Sequence, residues 1–437
     1  MNKLHILGIR GVPAQHGGFE TFAEKLSLFL VKNGWQVTVY CQEDGPSESW
    51  ETTWEGIRRI HIPVGRSGAA GTVLFDWKVA RHALSEQGLF LTLGYNTAIF
   101  NLWQRLNGQR NVINMDGIEW RRNKWGAFAK IWFWLNERAG CWIGDHLIAD
   151  HPKIKDHLST RVSADKITMI PYGGDEVLNA DITWLVPYGI DPGEFSVIIA
   201  RPEPENSFLE MVRAFSMKRR EHKLVVLGNF TPDSNPYHRQ IMDAASDEVV
   251  FPGAIYDASI VQALRFFSRF YLHGHRVGGT NPSLVEALGA GCAVIAHDNH
   301  FNRWVAGPES AYFKDEAEFS SLFERLLADD AAVENMKAAS RIAFNERFTW
   351  EQVLRDYETL LTRWCPVNVK ETMHSGSELT ATAKGLFEDP LGDLYPAQAI
   401  SPEARKVDAL EISDLERKQF GSSIAERGPT AHSRCRP

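Results

Sequence analysis

The stretch KLHILGIRGVPAQHGGFETFAEKLSLFLVKNGWQVTVYC, Lys3 to Cys41, decides how the chain is read. Its first residues form a short apolar run that breaks at Gly8, and ETFAEKLSLFLVKNGW then spaces its apolar residues as a helix until Gly34 stops it. QVTVYC alternates as a second strand. Strand, glycine turn, helix and strand make a βαβ opening, and such units build parallel sheets whose ligands sit at the carboxyl ends of the strands. Further strands are predicted at GLFLTLG, RNVINMDG and DHLIAD, with a Trp-rich helix between the last two.

A second series starts near EFSVIIARPEPEN and repeats the pattern through KLVVLGN, EVVFPGA, RFYLHGH and CAVIAHD. At 437 residues the chain exceeds what one core usually serves, so the expected fold class is α/β, with two Rossmann-like domains facing across a cleft. The expected divisions are a first domain over 1–170, a Gly- and Pro-rich linker over 171–194, a second domain over 195–348 and a closing helix over 349–365. Residues 366–437 carry few large apolar side chains and are expected to form a loose tail with no chemistry of its own.

Composition narrows the function. A net charge of -8 argues against nucleic acid as a partner. The five cysteines are scattered and never paired as Cys-x-x-Cys, so neither a disulfide framework nor a thiolate zinc site is indicated, and a reducing cytoplasm is the expected location. No stretch reaches the roughly 18 apolar residues of a spanning helix.

Three loops carry candidate chemistry. Gly17 and Gly18 precede a helix whose open amides would hold a phosphate, although the same pair reads equally as a tight strand-to-helix turn. Arg201, just after the first strand of the second series, offers a charged fork to a diphosphate, with Glu205 placed to orient it. In HGHRVGGTNPSLVEALGAG the amides of Gly279, Thr280 and Asn281 are expected to face nucleotide phosphates, and Glu286, one turn into the following helix, to accept from two ribose hydroxyls. The glycine spacings match neither the dinucleotide fingerprint nor the P-loop.

These motifs together resemble the retaining GT-B glycosyltransferases of family 4, and more narrowly the rhamnosyltransferase-type proteins of bacterial polysaccharide biosynthesis, over roughly residues 3–364. Glu286-Ala287 matches the second half of that family's Glu-x7-Glu signature, but Gly278 stands where its first Glu would be, and Asn206 stands where its phosphate-binding Lys would be. The resemblance implies transfer from a nucleotide sugar, dTDP-rhamnose or another, with retention, without divalent metal or other cofactor, to a lipid-linked saccharide. On the same basis Arg201 and Glu286 hold the donor, as do Gly17, Gly18, Glu205, Asn206, His273, His275, Gly279, Thr280 and Asn281. Asp116 acts at the acceptor hydroxyl, and Glu119 is a second candidate there.

Trp120, Trp125, Trp132, Trp134 and Trp142 alternate with Arg121, Arg122, Lys124 and Lys130, so residues 120–142 are expected to meet the inner face of a membrane. The competing expectation buries Phe128, Ile131, Leu135 and Ala139 against the sheet. Two rival functions stand beside the transferase: a non-hydrolysing sugar-nucleotide epimerase and a catalytically silent nucleotide-binding scaffold.

Overall fold

The structure is a computed structural model that describes residues 1–366 apart from 16, 46 and 67. The segment expected to form a loose tail lies outside the described residues. Two twisted sheets are each flanked by helices. In the first, β1 (Lys3–Leu7), β2 (Gln36–Asp44), β3 (Trp50–Trp54), β4 (Ile57–Val64), β5 (Leu89–Leu93), β6 (Arg110–Asn114), β7 (His146–Ala149) and β8 (Ile167–Met169) lie in the order β3-β4-β2-β1-β5-β6-β7-β8. All neighbours run parallel except the hairpin β3-β4. The central strands β1 and β5 pair Leu4 with Leu89 and Ile6 with Leu91, both faces covered by helices, which is why they read as unbroken apolar runs.

The second sheet has β9 (Phe195–Ile199), β10 (Lys223–Leu227), β11 (Val249–Gly253), β12 (Phe270–His273), β13 (Ala293–His297) and β14 (Ala311–Phe313) in the order β11-β10-β9-β12-β13-β14. Counted from β9 this is the doubly wound order 3-2-1-4-5-6, and its switch point falls between β9 and β12. Sequence periodicity leaves out the β3-β4 hairpin, whose turn holds Glu55 and Gly56 at φ 49° and 79°. The short β8 and β14 also escape it, three residues being too few to show a period.

The closing helix, Trp350–Trp364, follows the second half in sequence but packs on the first. Its Trp350, Val353, Leu354, Tyr357, Leu360 and Leu361 join Leu4, Ile6, Phe22 and Leu26 in one core. Each such side chain is worth about 1.5–3 kcal/mol over leaving it exposed. Tyr357 sits 4.5 Å from Phe22, ring to ring, and its hydroxyl accepts from Asn114 Nδ2 at 2.8 Å. A side chain at Gly173 would meet the Trp350 ring at 2.5 Å, so the chain passes beneath that ring only as glycine. The helix thereby ties the two halves together behind the cleft.

Candidate active site between the two halves

The turn after β1 delivers the helix Gly18–Lys32 to the cleft. Gly17 takes φ 106°, open to glycine alone, and this helix start has no side-chain cap, although the Glu20 carboxylate lies beside Gly17. A Cβ on Gly18 would lie 3.1 Å from Pro282 Cγ and 3.7 Å from Tyr172 Cε2. Pro282 is the first residue of the helix Pro282–Gly289, so the amino ends of one helix from each half meet here. The second helix is capped by its own Asn281, whose Oδ1 accepts from the Ser283 amide at 3.0 Å. Two acids of the first helix are also drawn into the turn, Glu20 accepting from the Arg10 amide at 3.3 Å and Glu24 from the Ala14 amide at 2.5 Å.

Glu286 lies on the half-exposed flank of Pro282–Gly289. Its Oε2 is 2.5 Å from Nη2 of Arg265, which is buried beneath it, while the rest of the carboxylate stays open. The same arginine reaches Ser283 Oγ at 3.1 Å, and Ser283 Oγ donates to the Ile199 carbonyl at the end of β9 at 3.0 Å. Arg201 follows Ile199 by two residues, so Arg201 and Glu286 share one end of the second sheet. Arg201 is exposed and makes no ion pair among the described residues.

The structure corrects the part given to Glu205. It pairs across the cleft with Arg122, which donates through Nε at 3.0 Å and through Nη2, and does not orient Arg201. Arg122 Nη1 also donates to Glu119 at 2.7 Å, and Glu119 Oε2 accepts from Trp125 Nε1 at 2.9 Å, so both oxygens of Glu119 are engaged inside the protein. Asn206 is buried and turns back to donate to the Arg201 carbonyl at 2.8 Å. Lys124 lies 4.9 Å above the Trp125 ring; burial and then Arg122 hold its ammonium below the usual range. Arg122 is spent on Glu119 and Glu205, so the cations left to a ligand here are Lys124 and Arg201.

The loop 274–281 lies against this same segment, the Arg276 amide donating to the Glu205 carbonyl at 3.0 Å. Its predicted phosphate role needs correcting at Thr280, which is buried and donates its amide to Asp150 Oδ2 at 3.0 Å and its hydroxyl to the Asp150 carbonyl. Asp150 directly follows β7 in the first half and has no sequence signature beyond that position. Asp116, at the end of neighbouring β6, holds φ 48°, a conformation costing a non-glycine residue roughly 1 kcal/mol or more and kept in place by Asn114 Oδ1, which accepts its amide at 3.0 Å. Burial, and then Glu119, push the Asp116 carboxyl up to about 6; burial, and then Asp116, push Asp150 up to about 7. His273 and His275 stack at 4.3 Å at the end of β12. Burial, then Arg122 and Arg201, bring His275 down to about 3, and burial holds His273 well below its usual value, so both rings are neutral at pH 7.

The Trp-rich helix, Ala127–Ile143, buries Cys141 and Ile143 at its end but is otherwise largely inside out. Asn136 and Glu137 face inward, while Phe128, Ile131, Trp134, Leu135 and Trp142 are exposed, which rules out the core packing weighed for Phe128, Ile131 and Leu135. The inward Glu137 accepts from Trp120 Nε1 at 2.7 Å and lies 3.0 Å from His157 Nε2 and 3.3 Å from Arg161 Nε. Next to this helix, 98–106 adds exposed Ile99, Trp103 and Leu106. Arg105 sits over Trp142 at 5.5 Å and Arg138 over Trp134 at 3.5 Å, so the outward face is apolar with cations set among the rings. No helix among the described residues is long and apolar enough to cross a membrane. Nor do the described residues hold three His, Cys, Asp or Glu side chains grouped to bind a metal.

Comparison with known proteins adds three findings. Residues 206–359 match a family described as glycosyl transferase-like, and residues 1–175 match a domain of unknown function, DUF1972. No curated protein matches the chain in sequence. Among solved structures, a sucrose-phosphate synthase from Thermosynechococcus elongatus superposes with a TM-score of 0.70 at 17% identity, covering 83% of this chain and 99% of its own. HepE of Anabaena, solved in complex with UDP, gives 0.65 at 13%, covering 83% and 100%. A UDP-forming trehalose-phosphate synthase from Burkholderia xenovorans gives 0.65 at 12%, covering 83% and 99%. The architecture of residues 1–366 is the GT-B fold.

Proposed function

We infer that this GT-B chain, whose second half matches a glycosyl transferase-like family, moves a sugar from a nucleoside-diphosphate donor to an acceptor held by the first half. One observation carries the reading. Arg201 and Glu286 share one end of the second sheet, through the Ser283 to Ile199 bond, directly opposite the uncapped helix start at Gly18. A nucleotide laid there meets an acid for its pentose hydroxyls, a free guanidinium and open amides for its diphosphate. Preorganised donors of this kind stabilise the charge that builds on the leaving diphosphate. Arg265 beneath Glu286 fixes one carboxylate oxygen and leaves the other for the ribose.

The finer reading is retaining transfer, with rhamnose the first donor sugar to test and a lipid-linked saccharide as acceptor. In that reaction the acceptor oxygen bonds to the anomeric carbon as its bond to the diphosphate breaks. The acceptor proton passes to the departing phosphate oxygen on the same face. The outward apolar face of Ala127–Ile143, with its ring-stacked arginines, suits the headgroup zone of an anionic bilayer and supports an acceptor that arrives in a membrane. An epimerase acting on a soluble sugar nucleotide gains nothing from such a face.

The test is incubation of the purified protein with UDP-glucose, dTDP-rhamnose and other nucleotide sugars plus a bacterial lipid extract, followed by NMR of the product's anomeric configuration. Glu286→Ala should lower nucleotide affinity by about tenfold to a hundredfold, the loss expected for a hydrogen bond to a charged group. Nucleotide binding with no turnover of any donor supports a silent scaffold and refutes the transferase.

A further inference from the structure

The bare glycines of the loop 274–281 have a partner. A Cβ on Gly279 would collide with the Asp150 carboxylate, so the loop accepts that acid only because position 279 has no side chain. Gly278 takes φ 149°, and the space its Cβ would point into is empty for 4 Å. A Cβ on Gly117 would lie 3.8 Å from the Gly278 carbonyl carbon, so the turns after β6 and β12 meet here. Asp150 Oδ1, packed against Gly279, is buried with no hydrogen-bond partner, and at the strand end from which this loop springs both ring nitrogens of His273 and Nδ1 of His275 are likewise buried without one. Leaving such groups unpaired is costly, and a native site normally satisfies them with ligand or water.

Charge decides which part of a donor belongs here. Asp116 lies close enough to Asp150 to raise its proton affinity, and two acids repel a phosphate. The diphosphate belongs instead with Arg201, Lys124 and the helix starts. A carboxylate oxygen lacks a donor and a neutral imidazole offers one donor and one acceptor, so the matching ligand is a set of adjacent hydroxyls.

We propose that Asp150, reaching across the cleft from the first half, binds the hydroxyls of the donor's glycosyl group, with His273 and His275 beside it, and thereby sets sugar specificity. Closing the cleft therefore assembles the sugar pocket, because Asp150 and the loop 274–281 come from different halves. This proposal rests on the transferase reading.

Calorimetry on the full chain separates the two. The nucleotide sugar that the wild type binds most tightly, from a panel of UDP-glucose, UDP-galactose, UDP-N-acetylglucosamine, GDP-mannose and dTDP-rhamnose, is compared with its own nucleoside diphosphate. Asp150→Asn keeps the size of the side chain and should leave affinity for the bare nucleotide within twofold. It should shift the ratio of sugar-nucleotide to nucleotide affinity by about tenfold or more. Gly279→Ala, which pushes the same carboxylate away, should shift that ratio in the same direction. An unchanged ratio in both variants overturns the proposal, and so does a parallel loss of both ligands, which would make Asp150 a structural tie only. Wild-type protein that binds nucleotide without distinguishing its sugar conjugates overturns it while nucleotide binding stands, and wild-type protein that binds none of the panel overturns the transferase reading as well.

Discussion

Replacing Phe128, Ile131 and Leu135 together by serine tests the inside-out helix. These side chains are 92%, 57% and 52% exposed, so between them they leave the equivalent of about two whole apolar side chains in water. Folding gains little from them, and the triple variant should keep its stability within about 1 kcal/mol. Full insertion of that apolar surface into a bilayer would be worth about 3–6 kcal/mol at about 1.5–3 kcal/mol per side chain. A helix lying at the interface buries one face, to about half that depth, leaving about 1.5–3 kcal/mol, or a tenfold to hundredfold change in partitioning. The assay is flotation with vesicles of phosphatidylcholine and phosphatidylglycerol, at two salt concentrations, alongside a thermal melt. Wild-type binding should weaken with salt as the ring-stacked arginines are screened, and the variant should bind at least tenfold less with an unchanged melt. A melt lowered by many degrees would show that the face is packed, and unchanged flotation would show that it serves something other than a membrane.

Two further outcomes follow from the buried charges. Glu137→Ala should cost about 3–5 kcal/mol by chemical denaturation, because Trp120, His157 and Arg161 lose their shared acceptor. Burial pushes the Glu137 carboxyl up, but the bonds from His157, Trp120 and Arg161 outweigh it and hold the group below its ordinary range. A depressed folded value means that its contribution is fully present above about pH 4.5 and is lost as the pH falls below that; the variant's deficit should therefore shrink on acidification, and a deficit that stays constant to pH 3 would refute the assignment. Arg122→Ala leaves Glu119 and Glu205 facing each other across the cleft with no cation between them. The halves should then open, seen as a larger radius of gyration by X-ray scattering and faster amide exchange over 274–281, while an unchanged radius would show that other contacts set the closure.

The sequence by itself determined the long strands and helices and their succession along the chain, but not the β3-β4 hairpin or the three-residue strands β8 and β14. Strand runs of four to nine residues between helices at 3.6-residue spacing leave right-handed βαβ crossovers as the favoured connection, while the strand order 3-2-1-4-5-6 of the second sheet comes from the tertiary structure. The sequence also placed Arg201 and Glu286 near the switch point, because strand ends are legible from where apolar runs stop at glycine or arginine. Only the tertiary structure decided which charges meet. Glu205 lies four residues from Arg201 yet binds Arg122, 83 positions away, and Asp150 reaches Thr280 over 130 positions. A local pattern carries the period of an element but not the register between two sheets, so pairs across the cleft leave no trace in it. The Trp-rich helix shows the same limit. Its apolar and polar stripes are both visible in the sequence, and nothing local says which one faces water, since Glu137 turns inward only because Trp120, His157 and Arg161 arrive from elsewhere in the chain to receive it.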